Sequence, residues 1–170
     1  MFILIFSHQS EASVNYVYGA IGRFDPTNHG FQEFIGNNIE YSAFLGFGNN
    51  PYFNIQTGLS FWKEKKQFAD KDYQLSSILI PIQFIYRFHP SEKWVPYFGS
   101  GAGIHMLLEK YEQTELFWTI SYNIFSGFQY NIKPKLFINS EITYSYGNFS
   151  GIDNLKVEGL SFRLGLGRRF

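Results

Sequence analysis

Apolar and polar residues alternate along most of this chain with a period of two, in eight segments each closed by Gly, Asn, Asp or Pro. That period marks half-buried β-strands, and the helical period of 3.6 is nearly absent. The segments cover residues 15–24, 38–47, 53–61, 77–88, 97–106, 118–130, 136–146 and 160–170. In the second, Ile39, Tyr41, Ala43, Leu45 and Phe47 alternate with Asn38, Glu40, Ser42, Phe44 and Gly46. In the eighth, Leu160, Phe162, Leu164, Leu166 and Phe170 alternate with Ser161, Arg163, Gly165, Gly167 and Arg169. The first places Tyr16, Tyr18, Ala20, Gly22 and Phe24 on its more apolar face, and Val17, Gly19, Ile21 and Arg23 on the other.

Alternation does not say which face is outside, because a soluble barrel alternates too. Volume decides it. The interior of an eight-stranded barrel is filled by one modest set of side chains, and the apolar faces hold far too many large ones. They must face lipid, with the Gly, Ser, Thr, Asn and Gln of the opposite faces lining a narrow lumen. Short connections (48–51, 89–93, 131–135) alternate with longer polar ones (25–36, 63–74, 109–115, 147–158). The pattern predicts an all-β fold: an eight-stranded antiparallel up-and-down transmembrane β-barrel, with short periplasmic turns and longer extracellular loops. Two aromatic girdles follow, Tyr16, Phe47, Phe53, Phe88, Tyr130 and Phe170 toward the short turns, and Phe24, Tyr41, Phe61, Trp118, Tyr144 and Tyr146 toward the loops.

Composition sharpens this picture. Charged residues make up 16% of the chain against about 25% in a soluble domain, while aromatic residues reach 21%. The 14 basic and 14 acidic side chains cancel, which removes the electrostatic case for nucleic acid as a partner. The absence of Cys excludes a disulfide scaffold and a thiolate metal site. Met1 to Phe6 is a short apolar run, followed by Ser10 and Ala12 at the small-residue positions of a cleavable export signal. Residues 1–12 are therefore expected to be the remnant of a signal peptide and 13–170 the barrel, the alternative being a frayed apolar N-terminus.

Three features resemble the small outer-membrane barrels of Gram-negative bacteria, of the OmpA/OmpX and OmpW-like type. The run from Leu160 to Phe170 is similar to the terminal strand such proteins present to the barrel-assembly machinery, with Phe162, Leu164, Leu166 and Phe170 as the assembly signal; Arg168 departs from it, standing where an aromatic is usual. The stretch Trp94-Val-Pro96-Tyr97-Phe-Gly99-Ser-Gly101 is similar to one that opens a middle strand in many of them. The eight-strand layout is the third. The resemblance implies the outer membrane as location, with outer-membrane lipid, lipopolysaccharide and the assembly machinery as partners, and leaves function open, because one fold serves many roles.

Chemistry is sparse. The outer-membrane lipid A deacylases pair a His with a Ser two residues away on a lipid-facing strand, but His105 is followed by Met106 and Leu107. His8, His29 and His89 fall in the signal, a loop and a turn, so no nucleophile and base pair and no metal cluster is expected. Neither a cofactor nor an enzymatic activity is predicted. Gly99, Gly101 and Gly103 have strand period, and are expected to leave room for large lumen neighbours. Pro81, which lacks a ladder donor, predicts a local bulge. The informative residues are lumen charges, expected to pair as Glu141 with Arg163 and Arg23 with Glu40, because an isolated charge there would be poorly solvated. The favoured function is a non-enzymatic outer-membrane barrel with a plugged polar lumen, acting structurally or through extracellular loops that meet a surface ligand. The alternatives are a narrow conduit for small or apolar solutes and, third, a lipid-modifying enzyme.

Overall fold

A computed structural model describes residues 15–27, 38–68, 71–110, 114–149 and 156–170. Eight strands, β1 (Tyr16–Pro26), β2 (Asn38–Phe47), β3 (Phe53–Phe68), β4 (Lys71–Arg87), β5 (Trp94–Lys110), β6 (Thr114–Lys133), β7 (Leu136–Asn148) and β8 (Lys156–Arg169), pair in sequence order, and β8 closes on β1. Every pairing is antiparallel. Closure leaves no strand edge to solvate, as a barrel in lipid requires. The expected signal remnant, residues 1–12, lies outside the described residues, as do 28–36 of loop 25–36 and 150–155 of loop 147–158.

At the short-turn end the chain reverses through compact, side-chain-assisted turns. The Asn50 carbonyl oxygen Oδ1 accepts the backbone N–H groups of Tyr52 and Phe53 at 3.0 and 2.7 Å, fixing the β2–β3 turn. His89 takes the left-handed conformation at φ 48° in the β4–β5 turn. At the other end, the described parts of segments 63–74 and 109–115, expected as polar loops, are continuations of strand: the ladders run on to Phe68 opposite Lys71 and Lys110 opposite Thr114. The reason is an alternation that sequence polarity masks. Trp62, Leu75 and Leu107 point inward with Phe24, Phe149 and Val157, and Tyr73 and Phe117 pack on this cluster.

Seven strands turn the predicted faces outward. Ile39, Tyr41, Phe84, Trp118, Ile124, Leu164 and Phe170 are all exposed on the outer wall. Strand β1 is the reverse of expectation: Tyr16, Tyr18, Ala20 and Phe24 are buried in the lumen, while Ile21 and Arg23 face outward. Tyr16 and Phe24 therefore belong to neither girdle. The cause is the row that Gly22 occupies, opposite Glu40 on one side and Arg163 on the other. A Cβ at Gly22 would run into the Phe162 carbonyl oxygen and lie 2.9 Å from Arg163 Cγ, so glycine lets β8 and the Arg163 stem lie close against β1. The bulge expected at Pro81 is absent. The β3–β4 register is the same before the gap, at Thr57 opposite Ile82, as after it, at Ser60 opposite Leu79. The Thr57 hydroxyl donates to the Pro81 carbonyl at 2.8 Å across that gap.

Candidate functional site

The lumen is layered. A buried aromatic cluster of Tyr16, Tyr18, Ala20, Phe44 and Phe137 sits toward the short turns, beside a smaller one of Ile85, Tyr97 and Phe125. The Phe24 and Trp62 cluster lies toward the opposite end. Between them lies a polar band that contains the most deeply buried charges of the described residues.

Arg163 on β8 is its centre. Its Nη1 lies 2.8 Å from Glu141 Oε1 on β7, and its Nη2 lies 2.8 Å from Glu40 Oε1 on β2. Nε donates to the same Glu40 oxygen at 2.9 Å, and Nη1 also donates to Thr143 Oγ1 at 3.1 Å. Glu141 accepts further bonds from the Tyr97 hydroxyl at 3.0 Å and the Thr143 hydroxyl at 3.0 Å. The side chains of all three charged residues are at most 3% exposed. One guanidinium thus bridges two carboxylates across four strands, β7, β8, β1 and β2, passing over Gly22. Arg23, expected to face Glu40, is on the outer surface, where its Nε meets Asp25 at 2.7 Å. Glu40 takes Arg163 in its place because β1 is inverted.

A second network crosses the lumen below the triad. The Tyr16 hydroxyl donates to Gln56 Oε1 at 2.9 Å, Gln56 Nε2 to Gln83 Oε1 at 2.7 Å, and Gln83 Nε2 to Asn123 Oδ1 at 2.8 Å. Of the glycines expected to make room, Gly101 lies against Gln83 and Gly103 against Leu79, while Gly99 lies beneath the Phe125 ring. A cavity of about 20 Å³ beside the triad, lined by Glu40, Ser60, Ser77, His105, Ser145 and Ser161 among others, has room for about one water.

One pairing was not legible in the sequence. Ser77 Oγ and His105 Nε2 lie 2.6 Å apart, both residues buried. They stand 28 positions apart on β4 and β5, and only the strand register brings them together. Both line the small cavity beside the triad. Among the described residues no group of His, Asp and Glu is arranged to hold a metal ion. The expected assembly residues Phe162, Leu164, Leu166 and Phe170 are all lipid-facing and well exposed on the outer wall.

The family description "Outer membrane protein beta-barrel domain" matches residues 2–170. The chain belongs to that family. It is an integral protein of the Gram-negative outer membrane, and its exposed aromatic and aliphatic wall is the lipid-facing surface of that family's barrels. Among curated proteins no sequence matches it. Solved structures share its fold. OprG from Pseudomonas aeruginosa superposes with a TM-score of 0.67 at 12% identity, covering 94% of this chain and 97% of that one. Neisserial surface protein A gives 0.65 at 17% identity, covering 92% and 95%. Ail from Yersinia pestis, solved in complex with the heparin analogue sucrose octasulfate, gives 0.59 at 18% identity, covering 93% and 97%. At these identities the likeness is one of fold.

Proposed function

We propose that this protein is a non-enzymatic, closed outer-membrane barrel that works structurally and through the long-hairpin end, which faces outside the cell. The observation that supports the reading is the buried Glu40, Arg163 and Glu141 triad, which joins β7, β8 and β2 inside the lumen beside a cavity of about 20 Å³. Aromatic clusters above and below add two further barriers to solutes. A conducting pore needs continuous hydration, and these layers interrupt it. The burial of Ser77 and His105 supports a non-catalytic role, since a nucleophile must meet its substrate.

For the outer end, the β3–β4 hairpin presents Lys63 and Lys65, both exposed, to whatever the cell surface meets. The side chains of Lys66, Lys71 and Asp72, and the whole of Asp70, lie outside the described residues. Ail was solved with a polyanionic sulfated ligand, and exposed lysines on a projecting hairpin suit the same ligand chemistry or the phosphates of lipopolysaccharide. Strand β8 is the surface read by the barrel-assembly machinery. Planar-bilayer recording on refolded protein tests the closed lumen: no steady conductance is expected, and a steady ohmic current in the wild type would replace this reading with a conduit. Exchanging the long connections for short turns should abolish surface binding while leaving the barrel folded.

A further inference from the structure

At the short-turn mouth two arginines have no acidic partner among the described residues. Arg87, at the end of β4, is 5% exposed, and its Nη1 is buried with no hydrogen-bond partner. Arg169, at the end of β8, is half-buried. The two are joined only through amide side chains. Arg87 Nε donates to Gln129 Oε1 at 3.3 Å, Gln129 Nε2 to Asn131 Oδ1 at 3.3 Å, and Arg169 Nη2 to that same Asn131 oxygen at 2.9 Å. Each guanidinium also lies over a ring of the inner aromatic cluster, Arg87 over Tyr16 at 4.8 Å and Arg169 over Phe137 at 5.3 Å. Among the described residues neither makes an ion pair.

The surroundings add positive charge. Lys93, Lys133, Lys135 and Arg168 are exposed at this end. The acid here, Glu92, is turned to His89 at 3.9 Å, and Glu141 is already taken by Arg163. Two neighbouring guanidiniums that repel each other, bridged by neutral amides, carry positive charge that no acidic side chain among the described residues pairs with. Rings beneath them and amides beside them hold both in place, so the donor set is preorganised. We infer that the short-turn mouth is a binding site for a phosphate group, with Arg87 and Arg169 as its paired donors. Phosphate fits better than a single carboxylate because it offers more acceptor oxygens and can carry two negative charges, matching two forked cations. The group has two sources, free phosphate species or the headgroup of a lipid in the adjoining leaflet.

The test uses nitrogen-15 spectra of the arginine side chains in the full refolded barrel. In zwitterionic micelles, titration with inorganic phosphate should give a saturable shift of the Arg87 and Arg169 Nε–H signals that chloride at matched ionic strength does not reproduce. In nanodiscs without added phosphate, a shift in phosphatidylglycerol relative to phosphatidylcholine would assign the group to lipid; a response to inorganic phosphate alone would assign it to the free anion. Arg87→Gln and Arg169→Gln should each weaken half-saturation roughly tenfold or more. Arg169→Gln, at the more open position, keeps the test decisive if Arg87→Gln does not refold. No saturable response in either medium, or an equal response spread over Lys93, Lys133 and Lys135, would overturn the site.

Discussion

Replacing Arg163 by Met removes the one cation that two buried carboxylates share. In the wild type the guanidinium donates to Glu40, Glu141 and Thr143 at 2.8–3.1 Å, from a position almost fully shielded from solvent. Breaking a buried ion pair from one side costs about 3–5 kcal/mol, chiefly because a charge is left uncompensated. Here two carboxylates are stranded together, so Arg163→Met should sit at the upper end of that range. Glu40→Gln and Glu141→Gln each leave a one-to-one pair and should cost less, about 1–3 kcal/mol, the price of one charge-assisted bond. The triple variant should cost far less than the three single losses added, since it leaves no buried charge behind. Urea unfolding of barrels refolded in phosphatidylcholine vesicles, followed by tryptophan fluorescence and by heat-modifiable mobility on gels, measures each difference. Strict additivity, or a loss under about 1 kcal/mol for Arg163→Met, the worth of a solvent-exposed pair, would mean that the band is hydrated and the argument for a sealed lumen wrong.

Gly22→Val should destabilise the barrel and uncouple Glu40 from Arg163, seen as loss of non-additivity between Glu40→Gln and Arg163→Met in that background. Gly101→Val overfills the lumen against Gln83 and should cost about 1–3 kcal/mol in the same unfolding assay. Phe170→Ala should lower the amount of heat-modifiable barrel in outer-membrane fractions and leave unfolded protein in the periplasm; normal levels would exclude Phe170 from the assembly signal. Cysteines at Lys65 and Glu115 should react with an impermeant thiol reagent on intact cells, and cysteines at Asn49, Ser91 and Lys133 should not, in a chain that has no other Cys. The opposite pattern would invert the barrel in the membrane.

The strands and their order were legible because period-two alternation survives in every segment, and seven of the eight outer faces follow from it. Strand β1 misled because both its faces are partly apolar, so hydropathy favoured the one with Tyr16, Tyr18 and Phe24. What turns that face inward is a contact between elements: Gly22 must lie between Glu40 and Arg163, and nothing within 15–24 records it. The same distinction separates the two expected charge pairs. Glu141 and Arg163 stand directly opposite on neighbouring strands, a relation that strand order and height suffice to suggest. The partnership of Glu40 with Arg163 skips a strand and depends on a side chain reaching over glycine. The Ser77 and His105 pair depends likewise on a diagonal register offset. The lengths of β3 to β6 were underestimated because outward Lys63, Lys65 and Lys110, together with Glu64, Glu109 and Glu115 on the other face, read as loop, although the inward Leu75, Leu107 and Phe117 continue the alternation.

The bond from Arg163 to Glu40 joins residues 123 positions apart, on the second strand and the last, across the line where the chain's two ends meet. It cannot form while the barrel is an open sheet, however many hairpins have already zipped. Its energy therefore belongs to the closed state and not to the steps that precede closure, where the entropy of bringing distant segments together is still unrewarded. An interaction absent from the transition state acts on the rate of leaving the native state. The bond is then a latch: Glu40→Gln, which leaves the Glu141 and Arg163 pair of the β7–β8 hairpin intact, should leave the rate of insertion and folding nearly unchanged and show itself as faster opening along the β1–β8 seam.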